Sequence, residues 1–206
     1  MSTDNKYDRQ LRLWGQHGQS NLMKSHILLI NADGTGTETL KNLILPGVGK
    51  FTILDDRIIT ETDCMASFFI SDEYIGKNKA EIATLLLGEL NPDVCGFYNA
   101  SSLNEILVDE SIAGNFFKEF SLILASNLDS STLIKLSNIS DKLSIPFVAV
   151  QAYGLIGTCR LQYKNHEVIE SKPEPDLPDL RISFPFEALS HYCSQKLQTY
   201  CSICIH

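Results

Sequence analysis

The chain has 206 residues, 44% of them hydrophobic and 20% charged, enough for one ordinary globular domain with a sizeable core. Its 17 basic against 25 acidic side chains leave a formal charge of −8. That balance argues against a non-specific grip on nucleic acid or on an anionic membrane, so neither is expected as a partner.

No basic start followed by an apolar segment is present, and no apolar run reaches about 18 residues. The expected compartment is therefore the cytoplasm, the nucleus or both. The six cysteines are scattered, which in a reducing compartment predicts thiols packed as small hydrophobes.

The chain opens with "YDRQLRLWGQHGQ", residues 7–19, which sets Arg9 and Arg12 ahead of the first strand. Leu11, Leu13 and Trp14 read as an apolar face anchoring this segment, and Arg12 as structural. "HILLIN", residues 26–31, is a short apolar run typical of a buried parallel strand. "DGTGTE" follows, then a helix with Leu40, Leu43 and Ile44 at helical spacing, stopped by Pro46 and Gly47. "KFTILDD", residues 50–56, is the second strand. Residues 57–74 show no clear period and read as a loop with short helical turns.

Beyond Gly76, the apolar positions Ala80, Ala83, Leu86, Leu87 and Leu90 predict an amphipathic helix ending at Asn91 and Pro92. "VCGFYNA" and "FSLILAS" are the third and fourth strands. A helix over residues 130–143 carries Leu133, Leu136, Ile139 and Leu143 as its stripe. "IPFVAVQAYGLIGTCRLQYKNHEVIES" then reads as a strand, a glycine-rich turn and a strand pair. This order predicts an α/β, Rossmann-like, doubly wound and mostly parallel sheet, with antiparallel pairing towards its end.

After Ser171 the character changes. "KPEPDLPDLRISFPF" holds four prolines in fifteen residues and reads as an extended crossover, before a last helix over residues 186–199. The expected division is a domain over residues 1–171 and a crossover with terminal helix over residues 172–206.

A fold of this kind binds nucleotide through glycines directly after the first strand, where the backbone turns tightly and a helix start presents amides to phosphate. A G-x-G-x-x-G read from residue 31 gives Asn31, Ala32, Asp33, Gly34, Thr35 and Gly36. Two of its three glycine slots are lost, and Asp33 would set a carboxylate against phosphate. Asp55 ends the second strand where such folds place the carboxylate that binds ribose hydroxyls. It could equally be a solvated edge residue or a cap. The residues read best as a loop that has kept its turn and lost its ligand.

Taken together, "YDRQLRLWG", "LLINADGTGTETLKNLILPGVGKFTILDD", "IGKNKAE", "YGLIG" and "VIESKPEPDLPDLRISFPFEALSHY" resemble the activating enzymes of ubiquitin-like modifiers, with their ThiF-type adenylation fold. The resemblance covers about residues 7–192 and points to the regulatory, non-catalytic type of subunit, in neddylation. It implies a heterodimer with a catalytic subunit that holds ATP and Mg2+, and a ubiquitin-like modifier as the second partner.

Active members of that family use a glycine loop, a ribose aspartate, an Asn-x-x-Arg pair, a lysine at the next helix start and a magnesium-associated aspartate. Here Asp55 and Lys79 match, whereas the Asn-x-x-Arg pair falls on Asp63 and Ala66. The magnesium position falls on Leu128, with Asp129 one residue late. Losing one such contact typically costs about 2–4 kcal/mol of catalysis, so the resemblance implies a pseudo-site in which Gly34, Gly36, Asp55 and Lys79 are vestigial. No cofactor and no metal are expected in this chain.

The family's "Tyr-x-Arg-Gln" element crosses the dimer interface, and its arginine reaches ATP phosphates in the other subunit. Here that arginine is Arg9, implied to act in trans as an arginine finger does. Two alternatives stand beside this one: a truncated interaction module that binds the catalytic subunit without activating it, and a self-sufficient nucleotide-binding enzyme. The chain also stops sooner than its relatives, so a C-terminally truncated fold is expected. Cys201 and Cys204 have C-x-x-C spacing but lack a second pair, and a zinc site wants four ligands. Cys64 has acidic and apolar neighbours and nothing to lower its pKa, so no thioester nucleophile is expected.

Overall fold

The computed structural model describes residues 6–165 and 186–201, with no side-chain detail for residues 195–201. The chain divides into two units, Met1–His166 and Glu167–His206. In the first, α1 (Asp8–Lys24) leads into β1 (His26–Ile30), α2 (Gly34–Ile44) and β2 (Lys50–Leu54). A short α3 (Glu61–Ala66) and a 3-10 turn (Asp72–Tyr74) fill the stretch read as a loop. Next come α4 (Lys79–Gly88), β3 (Cys95–Asn99), α5 (Leu103–Ile106), α6 (Glu110–Phe117), β4 (Leu122–Ser126) and α7 (Ser130–Leu143). β5 (Phe147–Tyr153) and β6 (Ile156–Gln162) close the unit as a hairpin.

The six strands form one sheet in the order β3-β2-β1-β4-β5-β6. β1 to β5 are parallel, and β6 runs antiparallel to β5. Successive side chains of a strand face opposite sides of a sheet, and the core follows that period. Ile27, Leu29, Phe51, Ile53, Val148 and Val150 face the layer of α2 and α4, with Leu40, Ile44, Ala80, Ala83 and Leu87. Leu28, Ile30, Leu54, Phe147 and Ala149 face the other side, with Phe117 and Leu136 of α6 and α7. The central strands are therefore apolar runs, whereas the edge strands β3 and β6 are largely exposed.

In the second unit the described element is α8 (Glu187–Cys201). The proline-rich stretch of residues 172–185, Cys204 and the Cys201 side chain lie outside the described residues. No helix among the described residues is long and apolar enough to cross a membrane.

Candidate functional site

The strand order reverses between β1 and β4, and doubly wound sheets bind ligands beyond the carboxyl ends of the strands at such a point. Residues 31–36 form the turn there. Asn31 holds the first glycine slot at φ +72°, a left-handed conformation that asparagine tolerates better than most residues. Its Nδ2 donates to the Ser126 carbonyl at 2.9 Å. A Cβ at Gly36 would fall 2.6 Å from the Asn31 carbonyl oxygen, and one at Gly34 would fall 2.5 Å from that of Ala66. The remaining glycines thus serve close packing of the chain against itself.

Asp33 was expected to face the mouth of the loop, but its carboxylate is turned onto the protein. It caps α2 by accepting from the Gly36 amide at 2.8 Å. It also accepts from Ser126 Oγ at 2.6 Å and from Asn127 Nδ2 at 2.9 Å. The helix start that would meet phosphate meets this side chain instead. The physical reason is proximity: an N-cap carboxylate reaches the helix amides without leaving its own backbone position.

Asp55 is buried, and both its oxygens are engaged. The Ala32 amide donates to it at 2.9 Å, the Arg57 amide at 3.0 Å, and the Arg57 guanidinium at 2.8 and 2.6 Å. That hydrogen bonding to Asp55 raises the Arg57 pKa further, against the pull of burial. Lys79, also buried, donates from Nζ to Asp63 Oδ1 at 2.6 Å.

Asp63 closes the capping box of α3, accepting from the Thr60 amide at 2.9 Å and the Thr60 hydroxyl at 2.8 Å. Burial pushes its pKa up, but Lys79 and Thr60 together hold it below the ordinary carboxylate value. Asp129 caps α7, taking Ser131 Oγ at 2.6 Å, Thr132 Oγ1 at 2.6 Å and the Thr132 amide at 3.0 Å. Those bonds, led by Ser131, lower its pKa strongly. Cys64 is shifted upwards, first by desolvation and then by Asp72, which disfavours a thiolate.

The residues do not fit ATP with Mg2+. The helix amide is capped by Asp33, the ribose position is closed by Arg57, and the lysine is held by Asp63. Two open clefts remain, lined by Asp33, Gly34, Glu38 and Ala66 and by Asp56, Arg57, Asp63 and Lys79. The charged groups of the first, Asp33 and Glu38, repel a triphosphate, and in the second Asp56 and Asp63 offset Arg57 and Lys79. Among the described residues no group of three His, Cys, Asp or Glu side chains could hold a metal ion.

The N-terminal arm is built differently. α1 is broken at Gly15, where φ is +70° and ψ 175°, so residues 8–14 form a separate helical segment. The expected anchoring face of Leu11, Leu13 and Trp14 is only partly closed within the chain: Leu11 is half-buried, Leu13 is 78% exposed and Trp14 is 40% exposed. The anchors are Tyr7 and Gln19, both buried. Gln19 donates to the Pro46 carbonyl at 2.8 Å and accepts from Trp14 Nε1 at 3.0 Å. Arg12 pairs with Asp8 at 2.8 Å. Arg9 is exposed and forms no ion pair among the described residues.

Sequence reasoning found Asp55 and Lys79 but missed the partners that close them. The signal for Arg57 was its position two residues beyond Asp55. The pairing of Asp63 with Lys79 spans sixteen residues and had no local signal.

Residues 7–187 match the ThiF family. The chain is 46% identical over 191 residues to the NEDD8-activating enzyme E1 regulatory subunit of Danio rerio, covering 93% of this chain and 35% of that protein. It is 44% identical over 197 residues to the protein of the same name from Xenopus laevis, covering 96% of this chain and 36% of that one. The chain thus spans about a third of the length of these curated relatives. In fold it is similar to the E. coli protein MccB, solved with AMPCPP and MccA. That likeness has a TM-score of 0.67 at 17% identity, covering 79% of this chain and 49% of that one.

Proposed function

This chain belongs to the ThiF family, and from that premise we propose that it is a regulatory pseudo-adenylation subunit. In this reading it dimerises with a catalytic subunit that holds ATP and Mg2+, and the pair activates a ubiquitin-like modifier in neddylation, in the cytoplasm or nucleus. Its own site does no adenylation. Arg9 contributes in trans, reaching the phosphates of the nucleotide bound by the partner.

One observation carries this reading. The cations near the chain's own loop, Arg57 and Lys79, are consumed by Asp55 and Asp63, whereas Arg9 is exposed and has no carboxylate partner among the described residues. Phosphoryl chemistry depends on positioned positive charge, and an arginine supplied by a neighbouring chain is a recurring source of it. The names of the relatives support the choice of pathway and the regulatory role.

The test is modifier-dependent ATP–pyrophosphate exchange by the catalytic subunit with and without this chain. A large increase is expected. Co-elution without an increase would make the chain an interaction module, and exchange by the chain alone would make it an enzyme in its own right.

A further inference from the structure

Arg9 can act at a distance only if its backbone is held, and the residues holding it are on the arm's inner side. Tyr7 is 3% exposed and lies two residues before Arg9. Its ring packs on Gly47, where a Cβ would fall 2.7 Å from the Tyr7 hydroxyl. Gly47 has φ +91°, a second reason for glycine there. The hydroxyl accepts from Asn91 Nδ2 at 3.1 Å and donates to Asp93 Oδ2 at 3.2 Å.

Asn91 is buried and also donates to the Ile44 carbonyl at 2.8 Å, while its Oδ1 accepts from Lys6 at 2.5 Å. Lys6 reaches Asp93 as well, at 2.7 Å. Residues 6 and 7 are thereby tied to the turn after α4 and to the end of α2. At the other end of the short helical segment, Trp14 bonds Gln19 and covers Gly18, where a Cβ would fall 2.8 Å from its ring. Between the two ties, Arg9 and Leu13 lie four residues apart on one face, and both are exposed.

We infer that Tyr7, with Asn91 and Asp93, is a positioning clasp that sets the direction in which Arg9 leaves the surface. The inference rests on the trans reading of Arg9 given above. Tyr7 touches no substrate; it acts through the backbone it immobilises. A displacement of about 1 Å in a positioned group can cost on the order of 10²-fold in rate, so a clasp of this kind has measurable consequences.

Trp14 is the single tryptophan of the chain, and it sits in the arm, so its fluorescence reads the arm directly. The test reads Trp14 emission in this chain alone and exchange in the complex, comparing Tyr7→Phe, Arg9→Ala or both with the unaltered protein. Tyr7→Phe keeps the ring over Gly47 and removes only the hydroxyl bonds. Asn91→Ala is a second, harsher variant.

Tyr7→Phe should red-shift Trp14 emission while the far-ultraviolet circular dichroism is preserved. It should also lower modifier-dependent exchange about tenfold, and cause no further loss in the Arg9→Ala background. Equal fractional losses with and without Arg9 would overturn the clasp, as would unchanged Trp14 emission. If Arg9→Ala lowers exchange and Tyr7→Phe does not, the clasp alone falls. If Arg9→Ala leaves exchange at its starting rate, the trans reading falls and takes the clasp with it.

Discussion

The phosphate loop and the N-terminal arm both set charged side chains beside the start of a helix, yet they dispose of them in opposite ways. In and around the loop, Asp33, Asp55, Asp63, Arg57 and Lys79 are all bonded within the chain. In the arm, Tyr7 and Gln19 are buried and hydrogen-bonded, Lys6 and Arg12 pair with Asp93 and Asp8, and Arg9 is exposed with no ion pair among the described residues. The first arrangement converts charge into local structure. The second ties the arm down at Lys6, Tyr7 and Gln19 and leaves Arg9 exposed between those ties. A cation can be paired within its own fold or left to solvent, and these two regions differ in that choice.

The largest expected effect is on the arm. Arg9→Ala should lower modifier-dependent exchange by the complex on the order of 10²-fold or more, as loss of a positioned transition-state contact does. Its stability should shift by less than about 0.5 kcal/mol, as for an ordinary surface change. Co-elution should persist; its loss would make Arg9 an interface residue and end the contrast.

In the loop the order of effects reverses. Lys79→Met should destabilise the chain by about 2–3 kcal/mol in urea unfolding, because it strands the mostly buried Asp63 carboxylate. The same variant changes the acid limb. A carboxyl whose pKa is lowered by folding adds stability above its unfolded value, near 3.9, and loses it as pH falls through the folded one. Removing Lys79 should flatten that loss below about pH 4, read from melting temperature against pH.

Asp33→Gly should cost about 1 kcal/mol, through the lost cap and the bonds to Ser126 and Asn127. It should gain no ATP binding by calorimetry, since Arg57 and Asp63 still close the rest of the site. Measurable affinity would show that Asp33 alone silences the loop. The smallest effect belongs to Arg12→Ala, about 0–0.5 kcal/mol for an exposed pair with Asp8.

The departure of the loop from the glycine pattern was legible because it lies in consecutive residues. Asn31 and Asp33 stand where glycines would, and the alternation of apolar runs gave the parallel sheet with its antiparallel end. The way the site is filled was not legible. Nothing local says that the Asp33 carboxylate turns back onto Gly36, since a cap and a phosphate-facing acid have the same sequence. The bond between Asp63 and Lys79 exists only because α3 folds over the start of α4. The arm misled for a different reason. Leu13 and Trp14 are apolar and suggest an anchor, but Leu13 is exposed, Trp14 holds only through Gln19 and Gly18, and the buried anchors are Tyr7 and Gln19.

The inward turn of Asp33 also bears on how the chain responds to its surroundings. A group carried on the same backbone competes with any dissolved anion at an effective concentration set by geometry, in the millimolar range or above for short connections. Ligands stabilise a fold only through their free concentration relative to affinity. If the Asp33 carboxylate outcompetes phosphate at the loop, the melting temperature of this chain should stay level as ATP or ADP is varied. The stability of the fold would then be independent of the energy charge of its surroundings.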